Sequence, residues 1–136
     1  MIGLDTNVLV RYFTQDDPIQ SKRATLFVES HCTAEETGFV SLVVLCELVW
    51  VLDSGYGYAK ADILRLLRGM ASTPALTLEH HERVSRALSL YENSGAGLAD
   101  CLIACSCEDE AALPVFTFDK AAARATNLFK IVPDSR

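Results

Sequence analysis

The sequence predicts an α/β fold built around a parallel sheet, and three observations carry that prediction. Short strand-like apolar runs alternate with stretches of helical periodicity from one end to the other. The chain is 136 residues long and half apolar, enough to bury the core of one domain spanning residues 1–136. No linker, low-complexity tract or internal repeat divides it.

Met1 to Leu4 reads as the first strand, ending at Asp5. Asp17-Pro18 is a helix start, with Asp as N-cap and Pro in the first turn, and that helix runs to about Ser30. Gly38-Phe39-Val40 is a short second strand. It leads into an apolar helix, Leu42 to Leu52, stopped by Asp53-Ser54-Gly55. Ile63, Leu66, Leu67 and Met70 fall on one helix face, and Ala75 to Leu78, after Pro74, forms a third strand. Val84, Ala87, Leu88 and Tyr91 mark the next helix. Leu98, Cys101, Leu102 and Cys105 mark another, which ends in Glu108-Asp109-Glu110. Val115 to Phe118 is a strand, Lys120 to Ala125 a short helix, and Lys130 to Val132 a last strand. Phe27 and Leu67 suit either core or partner contacts.

Net charge is −6, which disfavours a simple nucleic-acid-binding module, because phosphate neutralisation calls for basic surface. An acidic site can still meet phosphate when divalent cations lie between them. The longest near-apolar run, Leu42 to Leu52, is far short of the ~20 residues that span a bilayer. No basic segment precedes an apolar stretch at the start, so a cytoplasmic protein is expected. The five cysteines include Cys101, Cys105 and Cys107 in one segment, without zinc-finger spacing, and read as reduced packing thiols. His80 and His81 read as ordinary surface histidines.

Four acids carry the functional reading. Glu47 has Val43, Val44, Trp50 and Val51 as its helical neighbours, and no Lys or Arg occurs between Glu29 and Ala59. A helix apolar all round is normally buried, so Glu47 is expected inside, facing a cation, the alternative being that it reaches water past a helix edge. Asp5 closes the first strand, where parallel sheets expose chemistry, although Asp5, Thr6 and Asn7 are also N-cap residue types. Asp100 lies early in a helix, where the helix dipole alone would favour a carboxylate. Its faces include Ile103, Ala104 and Cys107, which points to a protected place. Asp119 follows a strand and could merely cap the helix from Lys120. Four converging carboxylates would repel unless cations compensated them, and carboxylate oxygens suit Mg²⁺ or Mn²⁺.

The run Leu4 to Phe13, the segment Ser41 to Leu52 with its single Glu, Ala99 to Ala104 and Thr117 to Lys120 together resemble the motifs of PIN domains. The likeness is greatest to the VapC-type toxins. It implies a PIN-like fold, a parallel sheet of four or five short strands flanked by helices on both faces. It also implies that Asp5, Glu47, Asp100 and Asp119 form an acidic quartet holding one or two Mg²⁺ or Mn²⁺ ions. Thr6, Asn7 and Thr117 occupy supporting positions. Ribonuclease activity, homodimerisation and inhibition by a VapB-like antitoxin follow from the same resemblance. Arg11, Lys120 and Arg124 are candidate RNA contacts near the site. Two other readings stay open. One is a haloacid-dehalogenase-like phosphatase with Asp5 as nucleophile, although Asn7 stands where that family places a second Asp. The other is a non-catalytic binding module.

Overall fold

In a computed structural model of the chain, which describes residues 1–135, every strand pair is parallel. Parallel neighbours need a long crossover, and the helices between the strands supply it. The chain divides into two compact units, Met1–His81 and Glu82–Arg136.

The first unit holds a three-stranded sheet in the order β1-β2-β3, formed by Ile2–Gly3, Gly38–Val40 and Leu76–Leu78. Ile2 pairs with Gly38, and Gly38 with Leu76. The ladder continues past β1, since Leu4 N–H donates to Phe39 O at 3.0 Å, which fixes the backbone just before Asp5. Gly38 occupies the central strand for a steric reason. A Cβ there would stand 2.7 Å from Leu4 Cδ1 and 2.9 Å from Cys32 Sγ.

Four helices complete this unit. α1 (Thr6–Thr14) follows Asp5, whose side chain accepts from Thr6 N–H. The sequence analysis marked this helix only by the N-cap residue types Asp5, Thr6 and Asn7. α2 (Pro18–His31) starts where Asp17-Pro18 predicts, and Asp17 Oδ1 accepts from Ile19 and Gln20 N–H. α3 (Leu42–Trp50) is capped by Ser41 and continues into one wider π turn, Val51–Gly55. α4 (Lys60–Ser72) buries Ile63, Leu64, Leu67 and Met70. Leu9, Leu45, Leu48, Leu52, Ile63 and Leu67 are all but removed from water. Burying each such side chain stabilises the fold by roughly 1.5–3 kcal/mol before the entropy of ordering the chain is counted. Leu67 therefore belongs to the core, whereas Phe27 is exposed and stacks on His31.

The second unit contains α5 (His81–Asn93), α6 (Leu98–Asp109), β4 (Val115–Thr117), α7 (Lys120–Ala125) and β5 (Phe129–Ile131). The five expected strands thus fall into a sheet of three and a separate sheet of two, β4-β5. Ala104, Ala122 and Phe129 form a buried cluster, against which Val115 and Leu128 pack. α5 is tied to the acidic end of α6, because Arg83 and Arg86 both hold Asp109. Those two guanidiniums keep the Asp109 carboxyl below its usual range. Cys101 and Cys105 are buried, as packing thiols are, while His80 and His81 are exposed. Among the described residues, no helix is long and apolar enough to cross a membrane.

Candidate active site

In the first unit the carboxyl ends of the parallel strands gather acids. The chain leaves β1 through Leu4 into Asp5, and leaves β2 through Ser41 into α3, which carries Glu47. Thr6, the first residue of α1, joins the two. Its hydroxyl donates to Glu47 Oε1 at 2.8 Å across forty-one positions of sequence. Asp5 Oδ1 accepts from Thr6 N–H at 2.8 Å. One residue therefore orients both carboxylates.

Glu47 itself corrects an expectation. It is exposed, not enclosed, and Val43 and Trp50, one turn to either side, are 70% and 69% exposed. α3 buries Leu45, Leu48 and Val49 and leaves an apolar stripe outside, with Glu47 in its middle. The absence of any cation nearby in sequence costs little at a surface that water reaches.

Glu79 is an acid that sequence reasoning passed over. It follows β3 directly, and its Oε1 accepts from Leu42 N–H at 2.8 Å, satisfying a donor at the start of α3. The signal was the one that singled out Asp5 and Asp119, a carboxylate just beyond a strand.

In the second unit Asp100 occupies the first turn of α6 and Asp119 caps α7. Asp100 is half-buried, in keeping with its apolar neighbours. Burial first, and the charge of Asp119 second, push its carboxyl above the ordinary range, while a backbone hydrogen bond at Gly97 pulls the other way. Asp119 Oδ1 accepts from Ala121 N–H at 2.9 Å and from Ala122 N–H at 3.2 Å. Thr117 Oγ1 accepts from Asp119 N–H at 3.0 Å and shapes the turn that presents Asp119.

Two groups thus form within the units: Asp5, Thr6 and Glu47 in the first, Asp100, Thr117 and Asp119 in the second. Capping is real for Asp5 and Asp119. It occupies Oδ1 of each and leaves Oδ2 without a hydrogen bond among the described residues. Glu47 Oε2 is left in the same way. Among the described residues, no three Asp, Glu, His or Cys side chains are already gathered as a metal cage. Within each unit the donor chemistry nevertheless fits a hard divalent ion: carboxylates with spare oxygens in Asp5 and Glu47, and a mutually repelling pair in Asp100 and Asp119.

The PIN domain family profile matches residues 2–128, nearly the whole chain. The chain belongs to the PIN-domain family. Among its relatives is a VapC ribonuclease from Aquifex aeolicus, 26% identical over 99 residues, which are 73% of each chain.

The remaining candidate residues of this PIN domain differ in their surroundings. Asn7 lines a cleft of about 530 Å³ between α1 and α2, with Arg11, Gln20, Arg23 and Phe27. Arg11 is committed within the fold: its Nε donates to Gln20 Oε1 at 2.8 Å, and its Nη1 reaches Asp16 and the Tyr56 hydroxyl, both at 3.2 Å. Tyr56 also donates to Asp16, and that bond, with help from Thr14 and Arg11, lowers the Asp16 carboxyl pKa. Lys120 and Arg124 are exposed on α7.

Proposed function

We propose that this PIN domain is a Mg²⁺- or Mn²⁺-dependent endoribonuclease that hydrolyses RNA phosphodiester bonds. We further propose that it is the toxin of a toxin–antitoxin pair, acting in the cytoplasm as a homodimer restrained by a VapB-like antitoxin. The observation that carries the reading is the Thr6 hydroxyl on Glu47, which orients an exposed carboxylate beside Asp5 where parallel sheets place their chemistry. Family membership and the relative named as a VapC ribonuclease support the same conclusion.

Asp5, Glu47 and Asp100 would hold one or two ions, through the oxygens that their hydrogen bonds leave over. Bound divalent ions supply a water of lowered pKa and a Lewis acid for the phosphate. Asp119 would ligate an ion or orient the attacking water. Thr6 holds Asp5 by its Oδ1 and Glu47 by its Oε1, and the α7 amides fix the Asp119 carboxylate in the turn that Thr117 closes. An acidic chain with net charge −6 meets polyanionic RNA once those carboxylates are neutralised.

The test is cleavage of single-stranded RNA with Mn²⁺, and after chelation. Cleavage is expected to require the ion and to fall below roughly a hundredth in Asp5→Asn and in Asp100→Asn, the scale of losing a catalytic group. Cleavage that survives chelation or both substitutions would overturn the proposal. RNA binding without ion-dependent cleavage would identify a binding module instead.

A further inference from the structure

The β4-β5 sheet has two unlike faces. Residues in register on parallel strands point to the same side. Val115 pairs with Phe129, and both turn toward the buried cluster of Ala104 and Ala122. One position on, Phe116 pairs with Lys130, and both are exposed, Phe116 by 58%. Phe118, in the turn that Thr117 closes onto Asp119, is 81% exposed. An aromatic ring thus stands directly before a candidate catalytic carboxylate, with a second ring and a lysine beside it on the strands.

The charge of this region departs from that of the chain. Between Val115 and Val132 lie three cations, Lys120, Arg124 and Lys130, against the single carboxylate Asp119, whereas the whole chain carries −6. All three cations are exposed, and none forms an ion pair among the described residues. Exposed aromatic rings interleaved with cations suit single-stranded nucleic acid, whose bases stack on the rings while its phosphates meet the charges. Phe116 is the middle residue of β4 and Phe118 lies one residue beyond its end, so two exposed rings follow one another closely along the chain. A second copy of this chain fits less well. Two phenylalanines bury at most about 300–500 Å², short of the ~800 Å² per partner of a stable interface. Two copies would also bring like charges together.

We propose that Phe116, Phe118 and Lys130 form a platform for unpaired bases of single-stranded RNA, delivering the strand to Asp119. This rests on the ribonuclease reading, deepens it to a single-stranded substrate, and places specificity on stacking.

The test is fluorescence anisotropy with a short, labelled single-stranded oligoribonucleotide of mixed sequence, with Ca²⁺ in place of Mn²⁺ to neutralise the site carboxylates and the strand checked to be intact after each titration. The same strand annealed to its complement is the comparison, and wild-type cleavage with Mn²⁺ is measured in parallel. Loss of one stacked base corresponds to roughly 5- to 150-fold in affinity, so Phe118→Ala and Phe116→Ala should each weaken single-strand binding within that range. Phe118→Trp should retain it, and Lys130→Ala should lower the slope of log affinity against log salt by about 0.7. Melting temperatures should stay at the wild-type value, since both rings are exposed. Alanine variants that bind as the wild type, while the wild type cleaves, would overturn the platform and leave the nuclease reading intact. A duplex bound as tightly as the single strand would overturn the platform as well. A wild type that binds through the rings but never cleaves would support the platform and remove the nuclease. Phenylalanine variants that change oligomeric state without changing RNA affinity would assign the face to a second copy and refute the proposal.

Discussion

Replacing Thr6 with Val removes one hydroxyl and almost nothing else. The two residues are nearly equal in volume, both are β-branched, and their helix propensities are similar. What goes is the 2.8 Å bond to Glu47 Oε1, while the Thr6 N–H to Asp5 Oδ1 bond persists. A hydrogen bond to a charged group contributes about 1.5–3 kcal/mol when buried. Here Glu47 is exposed and Thr6 half-buried, so water takes over much of the role and the loss of stability falls to roughly 0.5–1 kcal/mol. The effect on the site is larger. Losing a partner that orients a metal-binding side chain typically lowers metal affinity ~10- to 100-fold. Urea unfolding and a calorimetric Mn²⁺ titration on Thr6→Val therefore separate the two effects. Stability should change little, Mn²⁺ binding should weaken by that factor, and Thr6→Ser should restore it. Wild-type Mn²⁺ binding in Thr6→Val would refute the orienting role of Thr6. A loss that merely tracked unfolding would refute it equally.

Three further predictions concern the units separately. Asp100→Asn should raise the melting temperature in ion-free buffer at neutral pH, because burial and Asp119 disfavour the ionised form. The raised carboxyl pKa means that the native wild type loses stability as pH rises from the ordinary carboxylate range through the raised value. The advantage of Asn over the wild type should therefore vanish on acidification, and an advantage no larger at pH 7 than at pH 4 would contradict this. Gly38→Ala should destabilise by about 1–3 kcal/mol in chemical denaturation, the usual cost of forcing extra volume into a packed core, since the new methyl meets Leu4 and Cys32. A neutral effect would show that those side chains yield freely. Tyr56→Phe should lower stability at neutral pH by a margin that shrinks in acid, because Tyr56 is the main group lowering the Asp16 pKa, while the lost Arg11 bond to its hydroxyl persists at every pH. The Asp16 contribution is present above the ordinary carboxylate range and lost as pH falls through the lowered value, so a pH-independent difference would exclude this origin.

Much of the fold was legible because its signals are local. Asp17-Pro18 starts α2, the apolar run from Leu42 gives α3, and the spacing of Ile63, Leu67 and Met70 marks α4. The division of five strands into sheets of three and two was not legible, because pairing depends on contacts distant in sequence. The same limit governs the site. Glu47 stood out, but for a partly mistaken reason. An all-apolar helix reads as buried, yet Val43 and Trp50 lie outside with Glu47 between them. Its actual partner, Thr6, is invisible at a separation of forty-one residues. Arg11 seemed poised for RNA by nearness to Asp5 in sequence, whereas Gln20, Asp16 and Tyr56 engage it in space. Asp100 read more faithfully, as a half-buried carboxylate in the first turn of its helix.

The proposal that Asp5 and Asp100 both serve one ion-dependent reaction is tested most directly by Mn²⁺ binding to the intact chain and to Asp5→Asn and Asp100→Asn. Loss of the same Mn²⁺ site in each folded variant is the predicted result. A wild type that binds no Mn²⁺, or a site that survives unchanged when either carboxylate is neutralised, would contradict it.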